Sequence, residues 1–391
     1  MFLPLLSPLP LGSGLHILIA TNAFKNSLNA TDAAEAIKSG LMQSKLQCTA
    51  ECFPIADGGD GTAELIIKKC GGSSVTAVVQ DPLGKHINAS FGLIESGETA
   101  VIEMADASGL RLLKKDELNS LHATSYGTGQ MIKLALDKGV SKIIIAMGGS
   151  ATVDGGTGIL NALGARFLNA EGEVLRKMPE SLVDLSKIDL SEIDERVYAC
   201  SVIVLCDVDN KLLGIEGAAA VFGPQKGASA EEVKMLERSL EKFTEVTFQQ
   251  TGKDLSKIKY GGTAGGAAAG LYAFLNAQLV NGIDHFLQIT DFDEALLKSD
   301  IVITGEGSID EQTLQGKGPF GVAARAKKKG IKVIGLAGKV PLQQHPDLQQ
   351  YFDVLIAIGN EPTDIKTALQ CTESNLVRTA IHVGNLLAMK S

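Results

Sequence analysis

Tryptophan is missing altogether, and aromatic residues make up only 5% of the chain. Nucleic-acid interfaces usually show a basic stripe or stacking aromatics. Here 45 acidic residues outnumber 36 basic ones, for a net charge of −9. The one basic run, Lys327-Lys328-Lys329 before Gly330, reads as a solvated helix end, where cations favour the macrodipole. Nucleic acid is therefore not an expected partner. No stretch approaches the roughly 20 uninterrupted apolar residues of a membrane span, so a membrane is not expected either.

Further absences narrow the chemistry. The six cysteines contain no CxxC pair, which argues against a zinc site or a disulfide framework and for reduced thiols in the cytoplasm. Every Gly-Lys pair lacks the following Ser or Thr of a phosphate-binding P-loop. Ser27, Ser150 and Ser308 lack the G-x-S-x-G context of a hydrolase nucleophile. His16 falls in the first strand and His382 in the last helix, as core or surface residues.

What is present is an α/β pattern. Leu15 to Ala20 is a short apolar run of the kind found in buried parallel strands. Asn29 is placed to cap a helix whose Ala33, Ala36, Ile37 and Leu41 share one face. A second strand is expected over Glu51 to Ala56. Val75 to Val79, Ile87 to Ile94 and Ala100 to Met104 then read as a β-meander, followed by a helix over Ser125 to Lys138 and a strand over Lys142 to Met147. Strands spaced for βαβ crossovers return at Asp300 to Thr304, Lys332 to Leu336 and Val354 to Ile358. The economical organisation is a flavodoxin-like parallel-sheet domain from residues 15–72 and 286–391, with an α/β domain inserted at 73–285. Residues 1–14, apolar and proline-rich without the basic start of a secretory signal, read as a disordered extension.

Ligands of open α/β sheets gather at the carboxyl ends of the strands. Polar, glycine-rich segments at such places or in the insert are Asn22 to Ser27, Asp57 to Thr62, Gly148 to Gly158, Cys206 to Asn210 and Gly305 to Lys317. Gly148 to Gly158 and Gly261 to Gly270 suit either backbone anion binding or tight packing. Asp57, Asp154, Asp207, Asp209, Glu306 and Asp310 sit among glycines in apolar surroundings, with Lys25, Lys226 and Lys317 in matching loops. Phosphoryl transfer asks for carboxylates to hold Mg²⁺ or accept a proton, and for cations around the phosphoryl group. Turn and capping chemistry is the competing account of each acid.

In this order the motifs resemble the bacterial glycerate kinases. The family's A-P-D-S-F-K-G-S-L is similar to Ala20–Leu28, and its A-D-G-G-E-G-T to Ala56–Thr62. Its G-G-S-A-T-N-D-G-G-x-G resembles Gly148–Gly158, C-D-V-D-N-P-L resembles Cys206–Leu212, and A-A-x-V-F-G-P-Q-K-G-A resembles Ala218–Ala228. T-G-E-G-x-x-D-x-Q-T-x-x-G-K-x-P-x-G-V resembles Thr304–Val322 at every fixed position. Three positions depart: Asn22 stands where the family has Asp, Asn26 where it has Gly, and Val153 where it has Asn.

The resemblance implies ATP and D-glycerate as substrates, Mg²⁺ as cofactor, and phosphoglycerate as product, with 2-phosphoglycerate favoured over 3-phosphoglycerate. It also implies an insert resembling the restriction-endonuclease core. Lys25, Asp57, Asp207 and Asp310 are the catalytic candidates. Asn22, Ser27, Gly58, Gly59, Gly149, Ser150, Asp154, Lys226, Gln312, Thr313 and Lys317 are the candidates for binding substrate or phosphate. Asp207, Asp209 and Glu306 are the candidates for the metal. The general base is left among Asp57, Asp207 and Asp310, and a homo-oligomer is one alternative for the quaternary state. A non-catalytic binder of small organic acids and a dinucleotide-dependent oxidoreductase are the competing functions.

Overall fold

The computed structural model describes residues 14–343 and 345–389, so the proposed N-terminal extension lies outside the described residues except for Gly14. The chain divides into two compact units. One takes in the chain up to Pro54, Asp291–Leu314 and the part from Gly318 on; the other comprises Ile55–Thr290 and Gln315–Lys317. The strand spacing had suggested seams at 72/73 and 285/286. The helix Thr62–Lys69 packs on the insert's sheet, and Gly282–Ile289 packs on that helix and on the same sheet, so both helices belong to the insert.

Numbered along the chain, the first strands are β1 (Leu15–Thr21) and β2 (Cys48–Cys52). The insert contributes β3 (Ser73–Gln80), β4 (His86–Ile94), β5 (Thr99–Glu103), β6 (Lys142–Ala146) and β7 (Arg166–Leu168). It also holds β8 (Lys187–Asp189), β9 (Ser201–Cys206) and β10 (Gln278–Asn281). The chain then returns through β11 (Ile301–Ser308), β12 (Lys332–Lys339) and β13 (Val354–Ala357).

In the terminal unit the strand order is β13-β12-β11-β1-β2, all parallel. Renumbered within that unit this is 2-1-3-4-5, the flavodoxin-like order. Its core centres on Ile17, Ile19, Ile37, Leu41, Ile303 and Leu336, each without solvent exposure. Burying each such side chain stabilises the fold by about 1.5–3 kcal/mol. Asn29 Oδ1 accepts from Asp32 N at 2.8 Å, capping the helix Ala30–Gln43 as its sequence implies. The second strand differs from expectation. It pairs with Leu15–Ile19 only as far as Cys52, because Pro54 has no N–H to continue a ladder. β11 and β12 run longer than their apolar cores, staying paired from Ile301–Lys332 to Ser308–Lys339.

The insert's sheet has the order β10-β9-β6-β5-β4-β3. β3, β4 and β5 form the antiparallel meander, while β5, β6, β9 and β10 are mutually parallel. Its carboxyl ends therefore bring together the segments after β5, β6, β9 and β10. Ile102, Ile143, Ile145, Phe167, Val204 and Phe243 anchor this core without solvent exposure. The six cysteines are all free.

Candidate functional site

In the terminal unit the strand order reverses direction between β1 and β11, the switch point at which open α/β sheets bind ligands. The loop after β1 and the end of β11 meet there, Asn22 N donating to Gly305 O at 2.9 Å. Asn22 is buried, and its Oδ1 accepts from Ala23 N at 2.8 Å. Lys25 is exposed beside it. Asn26 has φ +64, the left-handed region that Asn tolerates and Gly prefers, which explains how it occupies a glycine position of the family. Ser27 donates its hydroxyl to Leu369 O at 2.5 Å, so it ties this loop to the C-terminal helices.

Across the switch point, Glu306, Asp310 and Thr313 form one network. Thr313 Oγ1 donates to Glu306 Oε1 at 3.3 Å and accepts from Asp310 N at 3.1 Å. Asp310 accepts from Ser308 Oγ at 3.1 Å and from Gln312 N at 3.0 Å. Gln312 is exposed. Read from sequence as loop, Gly305–Ser308 in fact continues β11, which holds Glu306 on a rigid strand.

The insert carries the second cluster. Leu110, Gly149, Ser150, Asp207, Gln225 and Lys226 are among the residues lining a cleft at the carboxyl ends of its parallel strands. Lys226 is only 3% exposed, and its Nζ donates to Ser150 Oγ at 2.9 Å and to Thr152 O at 2.7 Å. Burial pulls its ammonium down to about 7, with Asp154 and then Asp207 opposing that shift. A buried lysine between neutral acceptors, with a carboxylate on the same cleft, is suited to gripping an incoming anion. Asp209 is exposed.

Asp154 does something different from what its motif suggested. It has no solvent exposure. Its Oδ2 accepts from Ser125 N at 2.8 Å, Ser125 Oγ at 2.7 Å and Gly158 N at 3.2 Å, and its Oδ1 from Gly156 N at 3.0 Å. These bonds lock the turn into the helix Thr157–Ala162. The Gly261 to Gly270 segment is likewise a packing device: a side chain on Gly265, at φ +65, would fall 2.0 Å from Thr152 O. Cys206, adjoining Asp207, is driven up to about 12 by burial, which leaves it no thiolate for nucleophilic chemistry.

The Asp57–Thr62 loop joins this cluster rather than the terminal sheet. Gly148 N donates to Gly58 O at 2.8 Å, bringing Gly58 and Gly59 onto the loop that carries Gly149 and Ser150, with Asp57 half-buried next to them. Gly316 and Lys317 also belong to the insert, Gly316 O accepting from Asn281 Nδ2 at 3.2 Å at the end of β10. The sequence candidates are thus gathered into two sets. Asn22, Lys25, Ser27, Glu306, Asp310, Gln312 and Thr313 lie in the terminal unit; Asp57, Gly58, Gly59, Gly149, Ser150, Asp154, Asp207, Asp209, Lys226 and Lys317 lie in the insert. Among the described residues no three of His, Cys, Asp and Glu converge as a ready metal site. Glu103 and Arg111, described below, were missed; the signal was a carboxylate closing the apolar run Ala100 to Met104.

Residues 17–388 match the model of the glycerate kinase family. The chain belongs to that family. It is 41% identical to the glycerate kinase of Halalkalibacterium halodurans, over 94% of this chain and 97% of the other. It is 40% identical to the glycerate 2-kinase of Escherichia coli strain K12, over 96% and 98%. A crystal structure of a protein described as glycerate kinase 2 from Salmonella typhimurium superposes with a TM-score of 0.81 at 40% identity, covering 97% of this chain and 99% of that one. Family membership thus extends over both units, and both clusters lie within the matched residues.

Proposed function

We propose that the protein is a kinase that transfers the γ-phosphoryl group of ATP to the 2-hydroxyl of D-glycerate, giving 2-phosphoglycerate and ADP. The observation that carries this reading is the buried Lys226 ammonium, held against Ser150 on the cleft that Asp207 also lines. Membership of the glycerate kinase family supports the substrate, and the name of the Escherichia coli relative supports the 2-position.

Lys226 and Ser150 bind an anionic group of the reactants, with Gly149 allowing close backbone approach. Lys25 and Lys317 add positive charge for phosphate oxygens. Asp57, Asp207 or Asp310 accepts the hydroxyl proton as the glycerate oxygen bonds to the γ-phosphorus and the bond to the bridging oxygen of ADP breaks. Since phosphoryl transfer asks little covalent chemistry of the protein, positioning and charge neutralisation carry the rate. Asp207 or Asp209 in the insert, or Glu306 in the terminal unit, is the carboxylate we put forward for Mg²⁺, which commonly takes one or two carboxylates and completes its shell with phosphate oxygens and water. Bound there, the cation would neutralise phosphate charge.

Among the described residues no helix is long and apolar enough to cross a membrane, and we propose the cytoplasm, where ATP and reduced thiols coexist, as the compartment. Release of ADP from Mg-ATP, followed with D-glycerate, with L-glycerate and with no acceptor, tests the reading. Release that depends on D-glycerate supports it; equal release in all three reactions, or none, refutes it.

A further inference from the structure

The Asp57–Thr62 loop rests on a carboxylate that no motif singles out. Glu103 closes β5 and is 3% exposed. Its Oε1 and Oε2 accept from Gly61 N at 3.0 and 3.1 Å, and Oε2 accepts also from Ala63 N at 3.2 Å. These amides open the helix Thr62–Lys69, where the first N–H groups have no intrahelical partner and the dipole favours an anion. Arg111 Nη1 lies 3.4 Å from Glu103 Oε1, and the same guanidinium pairs with Asp106.

The loop so anchored meets the Gly148–Ala151 loop on its other side. Gly148 N donates to Gly58 O at 2.8 Å. Gly149 has φ +70, and Asp60 Oδ1 occupies the space its side chain would need, 2.1 Å from an ideal Cβ. The segment that follows Glu103 holds the far edge: Leu110 N donates to Gly149 O and Ala151 N to Ser108 O, both at 2.8 Å. Glu103 therefore stands under one loop and at the root of the segment that grips the other.

We infer that Glu103 is a positioning residue for phosphoryl transfer: by anchoring Gly61 and Ala63 it fixes the Asp57–Gly59 backbone against the Gly148–Ser150 loop. The inference rests on the proposed function, which puts both loops in the site. Glu103 is faced by Asp106 and Arg111, and Asp106 in turn by Asp60 and Glu64. Burial raises its carboxyl to about 7, against the pull of the Gly61 amide; Asp106 adds to the rise, and Arg111 and the Ala63 amide oppose it. Ionised, the carboxylate accepts from both amides with both oxygens. Protonated, it gives up one acceptor to a hydroxyl, so the anchor weakens as pH falls through that range.

The test compares wild type, Glu103→Gln and Glu103→Ala by amide hydrogen exchange and by the pH dependence of kcat for D-glycerate phosphorylation. In Glu103→Ala, exchange at Gly61 and Ala63 should quicken about 10-fold or more through loss of charge-assisted bonds, while Val204 and Leu205 in β9 stay as they were. Its kcat should fall by about 100-fold, the scale of a small misplacement of reacting groups. Glu103→Gln keeps one acceptor oxygen, as the protonated carboxyl does; it should show protection between those of wild type and Glu103→Ala, a kcat near the wild type's low-pH limit, and no acid limb near pH 7. Unchanged exchange at Gly61 and Ala63 in Glu103→Ala would overturn the anchor. Faster exchange there, with wild-type kcat and wild-type pH profiles in both variants, would reduce Glu103 to a structural role and overturn the inference. If Glu103→Ala does not fold, the presence or loss of the acid limb in Glu103→Gln decides. A wild type that does not phosphorylate glycerate would instead refute the proposed function, and the exchange comparison would still decide the anchor.

Discussion

Lys226 Nζ lies 2.9 Å from Ser150 Oγ and 2.7 Å from Thr152 O, so a single buried ammonium joins the turn Pro224–Lys226 to the loop after β6. Desolvation is the larger influence on this group, and the nearby Asp154 and Asp207 only partly offset it. Under the proposed function, the ammonium would be held in reserve for an anion, whose arrival would supply the charge partner that burial removed.

Replacing Lys226 by Met should lower kcat/KM for glycerate phosphorylation at least about 100-fold, with the circular dichroism spectrum unchanged. In the wild type, kcat/KM should fall as pH rises through about 7, where the free ammonium loses its proton. The limb in kcat should lie higher, because a bound anion favours the charged form. The same group sets a stability slope. Between about 7 and 10.5 the unfolded chain holds a proton that the folded one has released, so stability should rise with pH across that window. Urea unfolding at pH 7 and pH 9 should show this rise in the wild type and not in Lys226→Met; identical slopes would contradict the assignment.

Asp154 is predicted to matter through structure. Asp154→Ala strips acceptors from the backbone amides of Ser125, Gly156 and Gly158. With each unpaired buried donor costing about 1–3 kcal/mol, the loss should be about 3–9 kcal/mol. Thermal unfolding should report this as a drop of roughly 10 °C. A drop of a degree or two would mean that water replaces the carboxylate at little cost.

Asp207→Asn and Asp310→Asn probe the candidate carboxylates of the two units. The residue that accepts the hydroxyl proton or helps to hold Mg²⁺ should lose turnover about 100-fold or more on amidation. Unfolding midpoints should move little, since both residues are only partly buried and Asn keeps one acceptor oxygen at each position. Near-normal turnover in either variant removes that residue from the mechanism.

Asn26, at φ +64, should accept Gly with a stability change of less than about 0.5 kcal/mol, since relief of left-handed strain is offset by the entropy of the unfolded chain. Asn26→Ala should cost about 1 kcal/mol. Denaturant midpoints decide between them, and equal effects of Ala and Gly would contradict the backbone explanation.

The parallel core was legible because buried parallel strands leave continuous apolar runs, as in Leu15–Ala20 and Asp300–Thr304, and because helix caps such as Asn29 are local. Strand ends were less legible. Glu306 looked like a loop residue because glycines flank it, yet pairing with β12 carries the strand through Ser308. The loops of the candidate site stood out in the sequence by glycine and acid content, but their roles did not. Asp154 and Asp207 look alike in the sequence; only packing makes one a fully buried clamp and the other a residue of the cleft. Glu103 was hidden because its partners, Gly61 and Ala63, are 40 residues or so away in sequence.

The central claim is phosphorylation of D-glycerate at its 2-hydroxyl, and ³¹P nuclear magnetic resonance of the products from Mg-ATP and D-glycerate tests it most directly. The account predicts ADP and 2-phosphoglycerate in equal amounts, with the ester proton coupling of a secondary carbon. A 3-phosphoglycerate signal would overturn the regiochemistry, and ATP left intact beside folded protein would contradict the account as a whole.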